Sequence, residues 1–239
     1  MMRRIAAHWL LNDGQVMRSP LITLDSEGRI VAIEEWERLD NLAHTEFYAG
    51  ALVAGLVNAR CRIWSQQSAD TERVMQAERV MQAADRKMQG EGVVAVGYVL
   101  WSNITAEMAS QSKIICRTFR PLEDANCLLV PRSEGDSAEL SRRLELLRSQ
   151  GAEICIGSDV LASNEGPSML GEMKLLSDVP LAELCKWATI NGAKALGIDG
   201  EFGRVEVGRK CGLVLLEGIA RDSGGVLKLS ERTTSRRLA

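Results

Sequence analysis

The sequence predicts an α/β protein in which a central run of parallel strands and helices is flanked on both sides by β-rich segments. Between Ala54 and Gly197, short apolar runs alternate with stretches of helical spacing, the pattern of βα units around a parallel sheet. Before Ala54 and after Val205 the runs are short and separated by Gly and Asn/Asp turns, as in small antiparallel modules. The length of 239 residues suits one large domain or a domain with a small satellite, and 46% hydrophobic with 26% charged residues excludes a disordered or collagen-like chain.

Each element has a local reason. Ile5–Leu11 is an apolar strand ended by the turn Asn12-Asp13-Gly14, and Leu21–Leu24 and Arg29–Ile33 follow on either side of Ser26-Glu27-Gly28. The parallel strand candidates are Ala54–Arg60, Val93–Leu100, Lys113–Phe119, Cys127–Pro131 and Glu153–Asp159. A helix from about Ser68 to Gln89 places Val74, Ala77, Met81, Ala84 and Met88 on one face, and Gly90 and Gly92 stop it. Within it Glu72–Ala77 recurs as Glu78–Ala83, a local duplication whose six-residue period does not match a helical repeat. The next helix is capped by Asp136 with Glu139 three residues on, turns Leu140, Leu144 and Leu147 inward, and ends at Gly151. Two more are expected at Pro167–Leu176 and Pro180–Leu196, each with Pro suited to its first turn. Val205–Leu229 returns to β character, and Ser230–Ala239, with Arg232, Arg236 and Arg237, reads as a frayed tail.

Charge and composition exclude several partners. Twenty-nine Lys and Arg against 32 Asp and Glu give a net charge of −3, so there is no electrostatic footprint for nucleic acid or an anionic membrane, and stacking aromatics amount to only 4%. The six cysteines stand singly, without a CxxC pair, and read as buried free thiols rather than disulfides or a zinc site. The Met-Met-Arg-Arg start followed by Ile5–Leu11 imitates a signal peptide, but His8 interrupts the apolar stretch, which reads as a strand. No run approaches the roughly 18 apolar residues of a membrane helix, and the expected location is cytoplasmic.

Phosphate-loop, dinucleotide, nucleophile-elbow and HExxH motifs are all missing, and the two histidines, His8 and His44, both lie in the first β segment. The suggestive cluster joins two strand ends: Asn58, Arg60, Cys61 and Arg62 on the first parallel strand, Ser158 and Asp159 on the last. Ligands bind at such C-terminal strand ends. Two readings are open: an arginine–carboxylate clamp that closes the sheet, or a site for an anion or substrate. Cys61, flanked by two arginines that would lower its pKa, is a weaker candidate nucleophile, its alternative being a packed thiol.

Three blocks carry a resemblance. Ala54-Gly55-Leu56-Val57-Asn58-Ala59-Arg60-Cys61-Arg62 resembles the first barrel strand of metal-dependent amidohydrolases of the deaminase and chlorohydrolase branch, where the pattern reads roughly PGxVNxHxH. Ile156–Asn164 with Met169–Met173 is similar to that branch's last strand and following helix, and Ala188–Gly197 with Gly203–Lys210 to its ATxNGAxALG…GxxExGKxADLV ending. Pro131-Arg132-Ser133 is similar to the family's CPRS sequence, and Gly28–Ile33 to its β module.

The resemblance implies a truncated or rearranged TIM-barrel-like βα domain at residues 55–204 and a β-sandwich module built jointly from residues 1–54 and 205–239. Removing the module leaves 150 residues, below the roughly 200 of a compact eightfold barrel, and the chain passes from the third family strand to the seventh. The family's first-strand metal histidines correspond to Arg60 and Arg62, so no metal site is expected although relatives use zinc or iron. Asp159 alone matches a metal ligand and general base, and pairing with Arg60 or Arg62 would make it a poor base. The expectation is a catalytically degenerate amidohydrolase that binds a small anion through Arg60, Arg62, Asn58 and Ser158 and self-associates through an open sheet edge. The alternative is an active C–N hydrolase or deaminase using Asp159 with non-standard or partner-supplied metal ligands.

Overall fold

In chain order the strands are β1 (Arg3–Asn12), β2 (Gln15–Arg18), β3 (Pro20–Leu24), β4 (Ile30–Glu35), β5 (Thr45–Ala54), β6 (Leu56–Arg62), β7 (Val93–Val99) and β8 (Ile115–Thr118). They continue as β9 (Leu128–Leu129), β10 (Cys155–Ile156), β11 (Ser158–Asp159), β12 (Leu213–Glu217), β13 (Ala220–Arg221), β14 (Leu227–Lys228) and β15 (Thr234–Arg237). The computed structural model describes residues 2–37, 42–62, 82–99, 115–118, 127–159 and 167–239. The duplicated segment through residue 81 lies outside the described residues.

Both chain ends enter one seven-stranded sheet of order β15-β12-β5-β1-β3-β4, with β2 beside β1. The β1–β2 hairpin closes on Asp13 and Gly14 at φ of 50° and 81°, the left-handed pair that a two-residue turn needs. The residues after Ser230 are not frayed: β15 pairs antiparallel with β12, and Arg236 bonds Glu217 at 3.2 Å and stacks 5.0 Å over Tyr48. Three arginines within the last eight residues suggested solvent, yet Arg236 and Arg237 lie in an edge strand whose backbone pairs with β12 while their charged ends can stay in water.

Gly55 is the single residue between β5 and β6, which leads the chain from this sheet into a parallel one. There β11, β6, β7 and β8 pair in that order, and β9 pairs with β10, which continues through Gly157 into β11. All five expected parallel strands are thus present. Among the described residues β8 and β9 are its edges.

Val57 and Asn58 are successive and in regular register with Ala95 and Val96, so they face opposite sides of this sheet. The Val57 side chain abuts Gly192, whereas the Asn58 amide reaches Met88 of the helix over 82–91, labelled α1. Helical residues thus meet this strand on both of its faces.

Helix α2 (Ser137–Ser149) starts as its sequence indicates, with the Asp136 carboxylate accepting the N–H groups of Ala138 and Glu139, each at 2.9 Å. Helix α3 (Met169–Lys174) is capped by the Ser168 hydroxyl on the Gly171 N–H at 2.9 Å, so Pro167 stands outside it. Helices α4 (Leu181–Lys186) and α5 (Gly192–Ala195) are joined by a π-helical turn, Trp187–Asn191, into the one long helix expected from Pro180. Among the described residues Cys61, Cys127, Cys155, Cys185 and Cys211 form no disulfide.

Candidate functional site at the parallel strand ends

The parallel pairing of β6 and β11 sets Ser158 opposite Cys61 and Asp159 opposite Arg62. Two strand ends far apart in sequence meet at the C-terminal end of the parallel strands, as their residue types suggested. Asn58 is fully buried, donates through Nδ2 to the Ser158 Oγ at 2.7 Å and accepts the Ser158 N–H through Oδ1 at 3.0 Å. Asn58 and Ser158, both expected at the anion site, bond to each other and hold β6 to β11. Arg60 is half-buried, and the side chains of Arg62 and Asp159 lie outside the described residues. Cys61 is fully buried, which favours the packed thiol.

A second polar centre was not singled out from the sequence. Glu172 on α3 is 2% exposed, accepts the Arg132 backbone N–H at 2.8 Å, and stands 3.5 Å from the Arg132 Nε. Both residues were present in the motif blocks, in Pro131-Arg132-Ser133 and Met169–Met173, so the signal existed. What was missing was the fold that brings the turn after β9 to α3.

Glu91, at the end of α1, binds the same helix from another side, accepting the Ser168 hydroxyl at 2.6 Å and the Leu170 N–H at 3.2 Å. Burial raises its carboxyl pKa, and these donors offset part of the rise. In the π-helical turn Asn191 donates to the Ile154 carbonyl at 2.8 Å, tying the helix to the start of β10, and Thr189 donates to the Cys185 carbonyl at 2.6 Å within the helix. Burial pushes the Cys211 thiol up to about 11, which keeps it protonated and inert.

The amidohydrolase family model matches residues 68–234, well over half of the chain. The chain belongs to the amidohydrolase family. This amidohydrolase is 33% identical over 98 residues to a 5-methylthioadenosine/S-adenosylhomocysteine deaminase of Thermoanaerobacter pseudethanolicus, an alignment covering 36% of the chain and 23% of that relative. It is 35% identical over 78 residues to the Moorella thermoacetica protein of the same name, covering 28% and 18%. The chain thus spans about a quarter or less of the curated relatives it matches, and they place it in the deaminase branch.

Among solved structures, the Helicobacter pylori aminofutalosine deaminase aligns with a TM-score of 0.63 at 15% identity over 100% of both chains. A zinc-bound adenosine deaminase of Xanthomonas campestris aligns at 0.58 and 15%, over 90% of this chain and 84% of that one. At such identities the likeness is one of fold, a mixed α/β architecture shared with the superfamily. No described helix is long and apolar enough to cross a membrane.

Where the family pattern carries two ligating histidines on the strand that corresponds to β6, the chain has Arg60 and Arg62, and a guanidinium has no lone pair to donate. Among the described residues no three His, Cys, Asp or Glu side chains converge as ligands.

Proposed function

We propose that this amidohydrolase is catalytically degenerate and acts as a binding protein, its first-strand metal ligands replaced by two arginines. The observation that carries the reading is the register of Asp159 against Arg62 on β11 and β6. It puts the one surviving acid of the family pattern opposite an arginine in the strand register, and a neighbouring positive charge weakens a general base. Hydrolysis in the family needs a metal to lower the pKa of water toward neutrality, and one aspartate cannot hold it. Arg60 and Arg62 suit instead a small carboxylate or phosphate, which planar guanidinium groups bind in bidentate fashion.

The reading includes a shortened barrel. The strand order β9, β10/β11, β6, β7, β8 follows family strands seven, eight, one, two and three, and only residues 119–127 join β8 to β9. That span is too short for even one βα unit, let alone three. Residues 55–204 form this domain and residues 1–54 with 205–239 the β module. The two sheet edges make a second copy of the chain a fitting partner.

The test is metal content by mass spectrometry on protein purified without chelator and after zinc or iron supplementation, paired with deamination assays on 5-methylthioadenosine and S-adenosylhomocysteine. The expected result is no stoichiometric metal and no ammonia release. Near one metal per chain, lost in Asp159→Ala together with turnover, would overturn the reading and establish an active deaminase.

A further inference from the structure

A cleft of about 390 Å³ opens on the seven-stranded sheet, lined by His8, Trp9, Arg18, Ser19, Trp36 and Arg221. None of these residues belongs to the blocks that carry the family resemblance. His8 meets Trp9 edge-on with ring centroids 5.1 Å apart, and Phe47 bridges His8 at 5.3 Å and Trp36 at 6.0 Å. Arg221 lies over the Trp9 ring, its Cζ 4.8 Å from the centroid. For a chain with 4% aromatic residues this is a marked concentration of rings.

Two features point to a ligand rather than to packing. Among the described residues neither Arg18 nor Arg221 has a carboxylate within ion-pair distance, and the buried indole N–H of Trp36 has no acceptor. Among the described residues the lining offers two guanidinium groups and no acid, so what these groups lack is an acceptor. The backbone is also irregular here: Ser19 holds φ at 49°, and the β1–β5 register slips between Ala7 and Trp9. Bulges and left-handed non-glycine residues re-aim side chains and gather at binding sites. Ser19 ties the walls, donating its N–H to the His8 carbonyl at 3.0 Å and accepting the Trp36 N–H at 2.9 Å.

We propose that this cleft binds a planar aromatic carboxylate, its ring against the indoles of Trp9 and Trp36 and its carboxylate on Arg18 and Arg221. Two guanidinium groups repel a cation, which excludes the usual ligand of an aromatic cage. The volume is at the lower end for small-molecule sites and fits one or two fused rings.

Isothermal titration calorimetry of the full chain with 2-naphthoate tests it, with 2-naphthylmethanol and acetate as probes lacking the charge or the ring. The expected result is one-to-one binding of 2-naphthoate, with both controls weaker, and about a tenfold loss of affinity in Arg18→Gln and in Arg221→Gln. Both positions are exposed, so circular dichroism is expected to show unchanged folds. The double variant Arg60→Gln/Arg62→Gln is expected to bind 2-naphthoate like the parent, which separates this site from the anion site proposed at the strand ends. No heat at millimolar 2-naphthoate, undiminished affinity in the Arg18 and Arg221 variants, or loss confined to the Arg60/Arg62 variant would each overturn the proposal.

Discussion

Asn58→Ala separates a structural role at the β6–β11 seam from a ligand-binding one. The substitution removes the 2.7 Å bond to the Ser158 hydroxyl and the 3.0 Å bond from its N–H, in a position with no exposed surface. Two neutral hydrogen bonds contribute about 1 kcal/mol each, and the stranded N–H adds roughly 1–3 kcal/mol of uncompensated burial. A loss of about 3–5 kcal/mol follows, or roughly 6–20 °C in Tm for a chain of this size. Ser158→Ala, which leaves the backbone bond in place, is expected to lose about 1 kcal/mol, and the double variant less than the sum of the two. Differential scanning calorimetry of the four proteins measures this. An Asn58→Ala variant melting within about 2 °C of the parent would refute the reasoning.

Glu91 is destabilising where it is charged: its raised pKa means that the folded state holds the proton more tightly than the unfolded chain, so its contribution falls as pH climbs above the ordinary value of 4.5. Glu91→Gln keeps partners for Ser168 and Leu170 without the charge, so its Tm is expected to exceed the parent's at pH 8 and converge near pH 4; parity at pH 8 would contradict this. Gly97→Ala would drive a methyl group into the Ala59 carbonyl and the Leu196 side chain, and is expected to lose about 1–3 kcal/mol in urea unfolding. Asp136→Ala removes the α2 cap and is expected to lose about 1 kcal/mol by the same measurement.

The parallel strands were legible because burial on two faces makes them continuous apolar runs, as in Val93–Val99. The α2 boundaries were legible because Asp136 and Gly151 act locally. Strand β5 was not, since Thr45–Ala54 is polar at one end and apolar at the other and earns its place by pairing with β1 and β12. For the same reason the C-terminal arginines misled: β12 supplies the pairing, and nothing adjacent in sequence signals it. At the candidate site, proximity of Arg62 and Asp159 could be inferred from strand ends, but the mutual satisfaction of Asn58 and Ser158 depends on an inter-strand bond across 100 positions.

The joining of both termini in one sheet has a kinetic side. β5 cannot gain its second neighbour until residues 213–217 have been synthesised, nor β12 its own until residues 234–237 emerge. Pairings of such sequence separation make folding slow, because the intervening loop must close before the contacts form. During translation the nascent β1–β5 segment presents a bare strand edge, a surface open to chaperones and to pairing with other chains until residues 213–217 emerge and cover it.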